Sequence, residues 1–372
     1  MPLRDRWTRL GNLMGMSHLF SPISFRDVTL PNRIVVSPMC EYSSVDGFAN
    51  DWHLVHLGSF ATGGAGLVMA EASAVTPEGR ITNACAGLWN EEQVVAWRAV
   101  TDFIHTQASK VGIQLAHAGR KASTMRPWDD HVVATESEGA WEAVAPSALA
   151  FDGYPVPHAL SLAEIDALVG HFADAADRAL RAGFDLVEIH AAHGYLFHEF
   201  LSPLSNQRHD DYGGSLENRS RFLLRVVGAV RERISDEVAL FVRISASDYT
   251  EGGWDIEQSV ELAKILRDAS VDLIDVSSGG NVAAATIPVG PGYQVSFAHE
   301  IRDRASIATS AVGLISEAAQ AERILQDGSA DAVMLARASL RNPRWALNAA
   351  ESLGEVIAWP VQFDRARTLR RP

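Results

Sequence analysis

Cysteine is almost absent: Cys40 and Cys85 are the only two in 372 residues, far apart and in no C-x-x-C spacing. A disulfide framework is therefore not expected, and a reducing, cytoplasmic setting is. The same scarcity removes the thiolate set of a cysteine-ligated iron–sulfur centre. No apolar run approaches the ~18 residues that cross a bilayer. Basic charge is in deficit, with a net charge of −14, which argues against nucleic acid or an anionic membrane as partner. No G-x-G-x-x-G fingerprint follows an early strand; Gly63-Gly-Ala-Gly66 precedes its strand and reads as a turn. No internal repeat and no low-complexity linker divides the chain.

What is present is an ordinary globular composition, 47% hydrophobic and 21% charged, long enough to bury a large core. Apolar, β-branched runs alternate with helical periodicity, the pattern of repeated βα units. Strands are expected near Ile34–Pro38, Leu67–Glu71, Val111–Leu115, Asp185–His190, Ala239–Ile244, Leu273–Ser277, Ile307–Val312 and Ala332–Ala336. Helices are clearest in Leu162–Ala182, Ser215–Ile234 and Ser259–Ala269, each after a capping or turn residue. Eight such strands fit one closed parallel (β/α)8 barrel over residues 18–355, with an extended loop from Arg120 to Pro157 after the third strand. Residues 1–17 carry Arg4, Arg6 and Arg9 without a secretory apolar core and are expected to be a disordered leader; residues 356–372 form a basic tail.

A closed barrel places its site at the carboxyl ends of its strands. The fourth strand, Asp185-Leu-Val-Glu-Ile-His190, delivers two imidazoles and a phenol within six residues, His190, His193 and Tyr195, then turns at Gly194. Three groups able to donate hydrogen bonds suit a reaction that builds negative charge on an oxygen. Gln114 ends the third strand with an amide that offers donor and acceptor together. Arg243 lies inside Phe-Val-Arg-Ile, where a structural ion pair is one reading and a cavity-facing cation another. Gly313 and Arg337, after strands seven and eight, could form a phosphate site or serve plain turn chemistry.

His190-Ala-Ala-His193-Gly-Tyr195 resembles the active-site signature of the Old Yellow Enzyme family of FMN-dependent ene-reductases. The stretch from Leu201 through Asn206, Arg208, Asp210, Tyr212 and Glu217 to Phe222 is similar to that family's long second signature. Further matches run from Leu30-Pro-Asn-Arg33 to Gln362-Phe-Asp-Arg365, so the resemblance covers nearly the whole chain after Met16. Ser37-Pro38-Met39-Cys40-Glu-Tyr42 resembles the thermophilic-like, xenobiotic-reductase branch.

The resemblance implies a barrel that binds FMN and is reduced by NADPH or NADH. It then reduces an activated alkene, an α,β-unsaturated carbonyl or nitro compound, by hydride transfer from flavin N5. His190 and His193 are expected to hold the substrate oxygen and Tyr195 to give the proton as general acid. Ser37, Pro38, Met39, Cys40, Ala72, Gln114 and Arg243 are expected around the flavin ring. Ser278, Gly279, Gly313, Ala336 and Arg337 are expected nearer the phosphate end, and no metal ligands are expected. Tyr42 is expected to line the substrate pocket, and Arg365 to reach a neighbouring subunit in a homodimer or homotetramer. Plainer readings stand beside these: Cys40 as a small buried hydrophobe, Ala72 as strand packing, Gln114 and Arg365 as solvated side chains. His117 and Arg120 carry no assigned role, and Glu41 and Trp254 are departures from the family pattern placed near the site. Two rival functions are a metal hydrolase using His190, His193 and His198 or Glu199, and a barrel that binds without turnover.

Overall fold

The computed structural model describes residues 17–368; the expected leader lies outside them except for Ser17. Eight strands close into one parallel barrel: β1 (Ile34–Val36), β2 (Leu67–Ala74), β3 (Lys110–Ala116), β4 (Leu186–Ala191), β5 (Ala239–Ser245), β6 (Leu273–Ser277), β7 (Ala308–Ala311) and β8 (Ala332–Leu335). Each strand pairs with the next, and β8 closes against β1. Outside run α1 (Asp51–Thr62), α2 (Glu91–His105), α3 (Leu162–Arg181), the short α4 (Leu196–Leu201), α5 (Leu216–Arg233), α6 (Ile256–Asp268), α7 (Val295–Ala305), α8 (Ala318–Gln326), α9 (Arg337–Arg341) and α10 (Trp345–Leu353). The helix starts follow local chemistry: Asn50, Asn90, Ser161, Ser215 and Asp255 each place a side-chain oxygen on a free amide of the first turn.

Strand parity divides the core in two. Ile34, Val36, Val68, Val111, Ile113, Val187, Ile189, Leu240, Val242, Ile274 and Val333 join one large cluster with the helices. The intervening residues, among them Val35, Leu67, Met69, Leu186, Phe241, Leu273 and Met334, form a second cluster inside the barrel. Side chains alternate faces along a strand, so the interior sequence of β4 is Leu186, Glu188, His190 and that of β6 is Leu273, Asp275, Ser277. The barrel interior is therefore apolar at the amino ends of the strands and polar at the carboxyl ends.

A two-stranded hairpin, Ile23–Phe25 against Val28–Leu30, plugs the apolar end. Its Phe25, Val28 and Leu30 pack on the interior cluster, with Phe25 edge-on to Phe241 at 5.0 Å. Arg26 takes the turn at a φ of 53° and its Nε donates to Asp272 at 2.7 and 2.9 Å, which fixes the hairpin's seat. At the other end, the long loop after β3 is tied down by Arg120, whose guanidinium donates to the carbonyls of Leu149 and Ala150 and to Asn281.

Because Phe25 is buried against Phe241, Phe25→Ala should cost about 3–5 kcal/mol of unfolding free energy, measured by urea denaturation. A loss under about 1 kcal/mol, within the range of a surface substitution, would show that the hairpin does not plug the barrel.

Candidate active site

β4 runs straight to His190 and Ala191, then the chain reverses through His193 and Gly194 at φ values of 60° and 71°. The reversal brings three rings together: His190 and His193 lie 5.1 Å apart edge-on, and His190 and Tyr195 also 5.1 Å apart. His190 Nδ1 accepts from the Ala192 amide at 3.3 Å, which puts its proton on Nε2. His193 Nε2 lies 2.7 Å from Ser277 Oγ. Burial, reinforced by the Arg243 cation, holds both imidazoles well below the usual histidine range, so both are neutral. Burial also pushes the Tyr195 phenol well above its usual value, so it keeps its proton.

Tyr195 forms one wall of a cavity of about 330 Å³ that Tyr42, Thr82, Lys121, Met125, His131 and Tyr154 also line. Trp128 packs edge-on to Tyr42 at 5.9 Å, so the long loop supplies a wall of this cavity. Lys121 has no carboxylate partner among the described residues. Its ammonium donates to the carbonyls of His193 and Gly280 at 2.8 and 3.0 Å and sits 5.1 Å from the Tyr195 ring centre. Burial lowers it to about 8.

Beneath these rings lies a polar layer inside the barrel. Gln114 Nε2 donates to Glu188 Oε1 at 2.8 Å. Arg243 Nε lies 2.8 Å from Asp275 Oδ2, and Ser310 donates to the other oxygen at 2.9 Å. Arg243 is ion-paired, and it also lines the second cavity. Burial first, and then the charge of Asp275, raises Glu188 to about 8. Acidic residues in Leu-Val-Glu-Ile and Leu-Ile-Asp-Val are as odd in buried strands as Arg243, and that signal could have found Glu188 and Asp275 from the sequence.

The second cavity, also about 330 Å³, is lined by Arg243, Ser277, Gln294, Gly313, Ala336, Arg337 and Arg341. Gly313 has a φ of 122°, and a Cβ there would meet Gln294 Nε2 at 3.0 Å. Neither Arg337 nor Arg341 has a carboxylate partner among the described residues. A glycine and two unpaired guanidiniums after β7 and β8 fit a phosphate, while Arg243 and Gln114 fit the polar edge of a planar ring, so these residues fit FMN. Ser278 and Gly279 stand beside the cavity rather than on its wall: Ser278 donates to Gln294 at 2.5 Å, and Gly279 O accepts from Ser245. Gln294 and Arg341, on segments without a motif, carried no sequence signal.

Next to β8, β1 leads into Ser37 and Pro38, both buried, then Met39, Cys40 and Tyr42, all half-buried. Ala72 follows a bulge in β2 and is buried in the strand. Glu41 and Trp254, placed near the site from the sequence, line neither cavity. Glu41 pairs with His56 and Trp52, and Trp254 is buried with its indole donating to Ser259. His117 accepts from Gly119 N and is pushed down to about 4 by burial. Arg365 is exposed on a 3-10 turn, Val361–Ala366, whose neighbour Phe363 lies under Arg344. Of the ligands that the metal reading names, His198 contacts Asp248 and Glu199 accepts from Arg120 N. Among the described residues no three His, Cys, Asp or Glu are placed to hold a metal ion.

A barrel with this rim is that of a flavin oxidoreductase. The family model described as NADH:flavin oxidoreductase / NADH oxidase matches residues 18–355, and the chain belongs to that family. It is 49% identical to the NADPH dehydrogenase of Bacillus subtilis (strain 168), across 93% of this chain and 98% of that one. It is 45% identical to an NADH:flavin oxidoreductase of Gibberella zeae, across 94% and 89%. Among solved structures, morphinone reductase matches with a TM-score of 0.76 at 29% identity, over 92% of this chain and 91% of that one. An Old Yellow Enzyme homologue from Zymomonas mobilis matches at 0.74 and 30%, over 92% and 94%. The protein is thus an NAD(P)H-dependent flavin oxidoreductase with FMN as cofactor. None of the described helices is long and apolar enough to cross a membrane.

Glu188 gives this site a pH signature. Its folded value, about 8, lies above the ordinary carboxyl value, so the folded state holds a proton that the unfolded state releases. Its contribution is greatest below about pH 4 and is lost as pH rises towards 8. Denaturation from pH 5 to 9 should therefore show the parent losing stability relative to Glu188→Gln; parallel curves would mean that Glu188 is not held protonated.

Proposed function

We propose that this enzyme reduces activated C=C bonds in α,β-unsaturated carbonyl or nitro compounds, with His190 and His193 holding the substrate oxygen and Tyr195 supplying the proton. The observation that carries the reading is the cluster itself: two neutral imidazoles and a protonated phenol, with Tyr195 on the cavity wall. A binding site without turnover does not need a buried acid there.

FMN, when bound, supplies the hydride to the β-carbon, drawn from NADPH or NADH. Everything else falls to the protein. His190 presents Nε2–H, and His193 presents Nδ1–H in the tautomer where Ser277 donates to its Nε2. Two preoriented donors stabilise the negative charge that grows on the substrate oxygen; one such donor is worth roughly 3–4 kcal/mol in other enzymes. Tyr195 then gives its proton to the α-carbon. Tyr42 bounds the substrate space. Ser37, Pro38, Met39, Cys40 and Ala72 bound one side of the flavin ring, and Gln114 and Arg243 hold its polar edge. Ser278, Gly279, Gly313, Ala336 and Arg337 serve the ribityl-phosphate end. The cytoplasm is the setting, the substrate is a small molecule, and the chain works as a homodimer or homotetramer in which the exposed Arg365 reaches a neighbour's site.

Tyr195→Phe should slow reoxidation of the reduced enzyme by 2-cyclohexenone by roughly 10²–10⁴-fold, with reduction by NADPH nearly unchanged. Equal slowing of both half-reactions in stopped flow would remove Tyr195 from the proton-donor role.

A further inference from the structure

The acid and one oxyanion donor hang on a turn the backbone does not favour. His193, which has a Cβ, sits at a φ of 60° and is followed by Gly194 at 71°. The space is closed as well: a Cβ on Gly194 would lie 2.3 Å from the Gly280 carbonyl oxygen. Such a conformation persists only where neighbours over-determine it. Ser245 Oγ takes the His193 amide and Lys121 takes the His193 carbonyl. The Gly194 amide donates to Nδ1 of His198 at 2.9 Å.

His198 stands three residues beyond Tyr195, on the first turn of α4, and is fully buried. Its Nε2 lies 2.9 Å from Oδ1 of Asp248, also fully buried. The contact is off the line of an ideal hydrogen bond, yet a carboxylate at that range favours N–H over a lone pair on Nε2. Asp248 is itself fixed: Oδ2 accepts from Ser202 Oγ at 2.5 Å and from the Trp254 amide at 2.9 Å. Burial pushes Asp248 up, but the contact with His198 and the bonds from Ser202 and the Trp254 amide outweigh it and hold it down to about 2. The imidazole is thus set from both sides, with its proton towards Asp248 and its lone pair towards Gly194.

We propose that His198 and Asp248 are positioning residues for proton delivery, holding the Gly194 amide so that Tyr195 is aimed at the substrate carbon. This rests on the reading of Tyr195 as the acid. Neither residue lines either cavity, so the pair acts on Tyr195 through the turn.

The test compares His198→Leu, His198→Asn and Tyr195→Phe as FMN-loaded enzymes, with flavin content, reduction by NADPH, reoxidation by 2-cyclohexenone and its solvent deuterium isotope effect measured for each. Asn keeps an acceptor where Nδ1 stood; Leu does not. His198→Leu should bind flavin and be reduced normally, yet reoxidise roughly 10–100-fold more slowly with a larger solvent isotope effect, and His198→Asn should recover most of the rate. Slow reoxidation in Tyr195→Phe with a parent-like rate in His198→Leu overturns this inference alone. A parent-like rate in Tyr195→Phe overturns the acid role on which it rests. If His198→Leu does not accumulate, His198→Gln, whose amide sits one atom too far out, replaces it; equal rates in the Gln and Asn variants overturn the proposal.

Discussion

One guanidinium inside the barrel bears on both imidazoles of the site above it. Arg243 lies against Asp275 with Glu188 close by, so two buried carboxyls share a single cation. Losing one partner of such a pair costs about 3–5 kcal/mol, because the other is left charged and buried. Keeping Glu188 protonated resolves the imbalance and leaves Arg243 and Asp275 as a single ion pair. Burial first, and then the Arg243 cation, keeps His190 and His193 neutral. Neutral imidazoles each offer one directed N–H, and a buried cation nearby favours negative charge on whatever they hold.

The geometry follows from strand parity. The alternation that makes the lower barrel apolar makes its upper layers polar, because β4, β5 and β6 each end in hydrogen-bonding or charged residues at interior positions. The second cavity, bounded by the turns after β7 and β8, reaches that polar layer through Arg243 and Ser277, and the first is bounded by Tyr195 and the loop after β3. The hairpin seals the far end of the barrel, and the active-site turn is held by Ser245, Lys121 and His198.

Much of this was legible before any coordinates. The eight strands were marked by their apolar runs, and observed bounds differ from expected ones by a residue or two, except that β2 runs on to Ala74 through its bulge. His190, His193 and Tyr195 were marked by their spacing, and Arg243 by being out of place in its strand. The hairpin was not legible, because three-residue strands carry no period. Gln294 and Arg341 reach their cavity from segments with no local pattern, so only tertiary folding identifies them. Glu41 and Trp254 line neither cavity, because partners in Trp52, His56 and Ser259 hold their side chains, and nothing local in the sequence marks those partners.

The central claim is that a flavin lies under a pair of donors able to hold an anion. The direct measurement is the visible spectrum of the purified protein during titration with a simple phenol. The account predicts flavin bands joined by a new, saturable long-wavelength band, as a phenolate held by His190 and His193 donates charge to the ring. Flavin bands that phenol leaves unchanged would contradict the anion site, and a colourless protein that cannot be reconstituted with FMN would contradict the cofactor as well.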